Sequence, residues 1–116
     1  MTFTGAVPHE TLQTYYSAAD VLAVPSFYES FGLVAIEAQA CGTPVIAADV
    51  GGLPTAVGDA GVLVEGHAVG PWTDAVESLL RDQARRLALG RQAVEHASRY
   101  GWAATTDRLV EVYRQA

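Results

Sequence analysis

The sequence has no lysine, and its seven arginines all lie after residue 80. Residues 1–80 hold nine carboxylates and no Lys or Arg, while the remainder sets seven arginines against four carboxylates, a net +3. Such a surface excludes nucleic acid, which needs cations clustered along phosphates. It is equally unsuited to an anionic membrane. There is a single cysteine, Cys41, so no internal disulfide can form and a reducing, cytoplasmic setting is the natural one. No run of about 18 or more uncharged apolar residues is present, which excludes a membrane-spanning helix. The opening Met-Thr-Phe-Thr-Gly lacks a basic region and a long apolar region, so no signal peptide is expected. His9, His67 and His96 share no spacing with one another or with an acidic motif, so a histidine-based metal cluster is not expected. The sequence also lacks internal repeats, linkers and low-complexity stretches.

What is present is hydrophobic and alternating. Half of the 116 residues are hydrophobic, enough for one globular domain with a core. Thr2–Thr4 reads as a short strand. Leu12, Tyr15, Tyr16 and Ala19 recur at the spacing of a helix face over 9–19. Asp20–Val24 is a short apolar run ended by Pro25, and 44–48 (Pro-Val-Ile-Ala-Ala) and 61–65 are two more. Between the first two, Gly32–Cys41 reads as a helix that Gly42 and Pro44 stop. Gly51–Pro54 is a turn with a helical turn after it. Beyond residue 66 the pattern is helical. Trp72, Val76, Leu79 and Leu80 line one face behind Pro71; Leu87 and Val94 belong to a second helix, and Trp102, Leu109, Val110 and Tyr113 to a third. Strands apolar throughout and separated by helices indicate an α/β fold, a parallel sheet covered on both faces. About four short strands are expected, with a helical C-terminus.

The stretch Gly32–Cys41 is apolar on nearly every side, yet Glu37 stands in its middle, eight residues after Glu29. A buried ionised carboxylate is costly unless it is paired or hydrogen-bonded. Spacing by itself leaves open that Glu37 lies at a rim or bonds a neighbouring backbone. It also fits a binding role. In open α/β sheets ligands sit at the carboxyl ends of the strands, against helix N-termini. First-turn N–H groups lack internal partners and attract anions, and Gly32 would let a ligand approach the backbone. Glu37, one to two turns further on, could accept hydrogen bonds from a vicinal diol such as a ribose, and Glu29 from hydroxyls further along the ligand. Cys41, Trp72 and Trp102 read as packing residues.

Glu29-Ser-Phe-Gly32-Leu-Val-Ala-Ile-Glu37 resembles the Glu-x7-Glu motif of retaining GT-B glycosyltransferases of the glycosyltransferase 4 family. Further stretches carry the likeness along the whole chain: Ala18-Ala19-Asp20, Pro25-Ser26, Glu37-Ala-Gln-Ala-Cys-Gly-Thr-Pro44, Asp49-Val-Gly-Gly-Leu-Pro54 and Tyr100-Gly-Trp102. Val64-Glu-Gly-His67 and the helix sequence resemble the subgroup that serves mycothiol biosynthesis. The resemblance implies an incomplete Rossmann-like domain, the second half of a GT-B C-terminal domain, spanning 1–116. It implies a UDP-sugar donor, UDP-GlcNAc, and an inositol phosphate acceptor. By the same resemblance Glu29 would bond the donor sugar and act in catalysis, helped by the N–H groups of Ser30, Phe31 and Gly32. Leu33 and Val34 would offer N–H groups to the diphosphate, and Glu37 would hold the ribose. A structural magnesium ion away from the chemistry would use Tyr16, Ser17, Ala19 and Thr43, although many relatives have Arg where Ser17 stands. Thr55 stands where many have Glu, so that position carries no catalytic expectation.

Two readings stay open. In one, the chain is part of a transferase whose N-terminal acceptor domain, and the strands that carry an Arg and a Lys for the diphosphate, lie elsewhere; alone it would be inactive. In the other, it is a stand-alone binding or assembly module. Either way, in the common strand order 3-2-1-4-5-6 the run Val21–Val24 is left with an open sheet edge, which favours self-association or a displaced first strand.

Overall fold

In the computed structural model the described residues are 9–28 and 32–99. They form α1 (His9–Ala18), β1 (Leu22–Val24), α2 (Leu33–Ala40), β2 (Val45–Ala48), α3 (Leu53–Val57), a 3-10 turn at Gly58–Ala60, β3 (Val62–Val64), α4 (Val69–Arg81) and α5 (Gln83–Arg99). The expected strand at Thr2–Thr4 and the helix marked by Trp102, Leu109, Val110 and Tyr113 lie outside the described residues.

The strands pair in parallel in the order β1-β2-β3. Leu22, Ala23 and Val24 stand opposite Val45, Ile46 and Ala47, and Ile46, Ala47 and Ala48 opposite Val62, Leu63 and Val64. β2 is central and wholly buried, which is why it reads as an unbroken apolar run rather than an alternating one. Its side chains still alternate between two cores. Val45 and Ala47 pack with Tyr16, Ala35, Ala38, Leu53 and Val57. Ile46 packs with Val64 and Leu79, against Trp72, Val76 and Leu89. Fully burying an Ile or Leu contributes roughly 1.5–3 kcal/mol, so Ile46, Leu53 and Leu79, all 0 % exposed, anchor the two layers. The α/β class with helices on both faces agrees with the sequence expectation.

The helical half departs from its pattern. Leu80, expected in the buried face of α4, is half exposed, and so are Leu87 and Val94 of α5. The buried face of α5 is instead Gly90, Ala93 and Ala97. These small residues let α5 approach the turn before β2: a Cβ on Gly90 would lie 2.5 Å from the Gly42 carbonyl oxygen. α5 thereby crosses the edge where the strands begin. There it closes a cavity of about 430 Å³ with Ser17, Asp20 and Gly42, into which Arg86 and Arg91 face.

Candidate functional site

Parallel strands put their carboxyl ends at one edge of the sheet, and α2 begins there, just past the loop after β1. Gly32 caps it in the left-handed conformation, φ 67°, and among the described residues no side chain caps the first turn. The N–H groups of that turn lack intrahelical partners and, with the helix dipole, favour an anion. No acidic residue stands in the turn to oppose one. The requirement for glycine comes from the fold as well as from any ligand. A Cβ at Gly32 would meet the Ala56 Cβ at 2.7 Å, so position 32 is packed onto α3 while its φ excludes ordinary side chains. Val34 is exposed at 43 % and Leu33 is partly buried.

Glu37 lies further along the same helix and is partly buried. The Tyr16 hydroxyl, from the last turns of α1, donates to Glu37 Oε2 at 3.3 Å. The Tyr16 phenol is pushed up to about 12, first by burial, then by the Glu37 charge and this hydrogen bond, and by Cys41. Each of these disfavours a phenolate. Glu37 is therefore a carboxylate with a buried hydroxyl donor at its side, which answers how an apolar helix tolerates it. The sequence marks Tyr16 as part of a helix face and, by resemblance, as a magnesium ligand, not as a partner of Glu37. Its hydroxyl contact, 21 residues away in the chain, has no local signal. Cys41 is partly buried against the same core.

Tyr16 and Thr43 are also brought together. Thr43, 1 % exposed, donates its hydroxyl to the Tyr16 carbonyl, and Ala19 N–H reaches the same oxygen at 3.2 Å. Ser17, in the last turn of α1, and Ala19, just after it, stand where helix-end carbonyls gather. Among the described residues no group of three His, Cys, Asp or Glu is placed to hold a metal ion. A donor set of carbonyl and hydroxyl oxygens nevertheless fits a hard cation such as magnesium. This cluster lies at the edge where the strands begin, a helix length from Gly32. Glu29, Ser30 and Phe31 lie outside the described residues. Just before them Phe27 stacks on His67, centroids 4.0 Å apart, and a His67 ring nitrogen bonds the Ser26 carbonyl at 2.9 Å. Trp72 packs between both cores and donates to the Gly66 carbonyl at 3.0 Å, which agrees with its reading as an anchor.

Residues 1–96 match the family model described as glycosyl transferases group 1. The chain belongs to the group 1 glycosyl transferases. It is 54 % identical to a D-inositol 3-phosphate glycosyltransferase of Corynebacterium aurimucosum, over 94 % of this chain and 26 % of that protein. The protein of the same name from Mycobacterium bovis is 54 % identical over the full chain and 25 % of its own length. Among solved structures, a sucrose-phosphate synthase from Thermosynechococcus elongatus superposes with a TM-score of 0.82 at 44 % identity, over 98 % of this chain and 29 % of that one. The chain thus spans about a quarter of the length of the D-inositol 3-phosphate glycosyltransferases it matches. Within the described part of this glycosyl transferase segment, no helix is long and apolar enough to cross a membrane.

Proposed function

We propose that residues 1–116 are the nucleotide-sugar-binding portion of a retaining GT-B glycosyltransferase, the second half of its C-terminal domain. The parent enzyme would move GlcNAc from UDP-GlcNAc to an inositol phosphate in the cytoplasm, as a step of mycothiol biosynthesis. The observation that supports this best is the placement of Glu37 behind a glycine-led helix N-terminus at the carboxyl edge of the sheet, within a chain whose relatives carry the inositol-phosphate name. Leu33 and Val34 N–H groups would receive the diphosphate. Glu37 would accept from the ribose hydroxyls. Glu29, with the N–H groups of Ser30, Phe31 and Gly32, would hold the sugar. The anomeric C–O bond to the diphosphate breaks, and the acceptor hydroxyl bonds from the same face, giving its proton to the departing phosphate. Tyr16, Ser17, Ala19 and Thr43 would hold a magnesium ion, which supplies a cross-link between α1 and the turn before β2.

The isolated chain is proposed to be inactive. Among the described arginines, Arg81 pairs with Glu77 at 3.6 Å, and Arg85 reaches Ser78. Arg86 donates to the Leu79 and Leu80 carbonyls, and Arg91 faces the cavity at the opposite edge. None of these contacts places a cation at α2's N-terminus, where about two phosphate charges would gather and where such sites use Arg, Lys or a metal. The test is a titration of the chain with UDP-GlcNAc followed on the amides of residues 32–34. Those amides should shift, and Glu37→Gln should weaken binding by about 1.5–3 kcal/mol, the size of a hydrogen bond to a charged group, with an unchanged melting curve. Adding an inositol phosphate should release no UDP. Unperturbed amides, or an unaffected Glu37→Gln, would overturn the binding assignment; ordinary transferase turnover would overturn the inactivity.

A further inference from the structure

Tyr16 is held at both ends. Its ring is in the core with Ala35, Ala38 and Val45, leaving the residue 8 % exposed. Its carbonyl accepts from the Thr43 hydroxyl and from the Ala19 N–H. A ring and a backbone pinned in this way put the hydroxyl at a fixed point, and that point is 3.3 Å from Glu37 Oε2. Glu37 by contrast is a long side chain, only partly buried, and a carboxylate on such a chain loses rotamer entropy when a ligand orders it. A neutral hydroxyl orders the carboxylate without neutralising it. A Lys or Arg in the same place would compete with the ligand for the negative charge. The contact is long for an O–H···O bond, and a carboxylate has about four lone-pair sites, so this bond by itself does not exhaust Glu37 as an acceptor.

We infer that the Tyr16 hydroxyl is the positioning group for Glu37, orienting its carboxylate to accept both hydroxyls of a nucleoside cis-diol. This rests on the ribose role proposed for Glu37. It makes Tyr16 a determinant of ribose over deoxyribose, acting through Glu37 and not by touching the nucleotide. It also ties that selectivity to α1, because the helix end that holds the Tyr16 backbone and the carboxylate that meets the diol are joined by one side chain.

The experiment measures dissociation constants of the 116-residue chain for UDP and for 2′-deoxy-UDP by NMR titration. The wild type should prefer UDP. Glu37→Gln should abolish the preference, and Tyr16→Phe, which keeps the ring, should reduce it about five-fold, the size of one hydrogen bond. A Tyr16 that only packs the core would weaken both nucleotides equally and leave their ratio unchanged; that result overturns the inference. A wild type without preference, or a preference that survives Glu37→Gln, overturns the Glu37 reading itself, and with it the inference. Site-specific fluorotyrosine at position 16 keeps both ring and hydroxyl and makes a stronger donor. Its UDP preference should rise, and an unchanged ratio there overturns the inference even where Tyr16→Phe does not fold.

Discussion

At the residue scale, Tyr16 is where packing and polarity meet. Its hydroxyl is at Glu37, its carbonyl at Thr43 and its ring in the larger core. Its phenol titrates near 12 against an ordinary value of 10.0, so the folded state holds this proton more tightly than the unfolded chain does. The stability linked to it is fully present below pH 10 and is lost as pH rises through about 12. Denaturant unfolding of the wild type should therefore lose midpoint across that window. Tyr16→Phe, with nothing to titrate at this position, should show a shallower loss there. Equal slopes in the two proteins would mean that Tyr16 ionises alike in both states.

At the element scale, the contact that places α5 depends on what is missing from it. Gly90 sits against the Gly42 carbonyl, and its neighbours on that face are Ala93 and Ala97. Gly90→Ala gains helix propensity of nearly 1 kcal/mol. It also drives a methyl into backbone, which cannot step aside as a flexible side chain can, and overpacking of this kind costs about 1–3 kcal/mol. Net destabilisation is expected, read as a lower urea midpoint. Gly70, in the first turn of α4, is the internal control. Apart from its chain neighbours, a Cβ there meets nothing within 4 Å, while Pro71 next to it disfavours a helical backbone for any residue that has a Cβ, so Gly70→Ala should leave stability within about 0.5 kcal/mol of the wild type. Two Gly→Ala changes in helices are thus expected to differ in size, and an unchanged or raised midpoint for Gly90→Ala would show that α5 is not held by close approach to the Gly42 turn.

At the scale of the whole molecule, two asymmetries coincide. Arg86 and Arg91 line the cavity where the strands begin, away from the helix N-terminus that suits an anion. And β1, among the described residues, pairs on one side only, with β2. Its edge is partly covered: Val24 is buried, Val21 and Leu22 are partly so, and Ala23 is exposed. No charge or proline interrupts it before Pro25. An edge of that kind templates another strand, so the isolated chain should self-associate with rising concentration. Light scattering would show the growth in mass, and Ala23→Lys should suppress it by adding charge to the edge. A wild type that stays monomeric at high concentration would mean that the edge is already protected.

Much of this was determined by the sequence alone. Continuous apolar runs at 20–24, 44–48 and 61–65 marked buried parallel strands, because a strand covered on both faces needs no polar alternation. Glycine and proline bounded α2, and a carboxylate in its apolar middle marked the place to look. These signals are local: each depends on residues within one or two turns or on one strand. What the tertiary structure decided was of another kind. The face α5 buries is Gly90, Ala93 and Ala97, which keep the spacing of a helix face but are too small to mark it, while the larger Leu87 and Val94 remain half exposed. Gly32 is required by Ala56 of another helix. The donor that accompanies Glu37 comes from Tyr16, across the gap between two helices. Such contacts depend on how close one element comes to another, and that distance is set by the sum of packing across the domain, which no single stretch of sequence encodes.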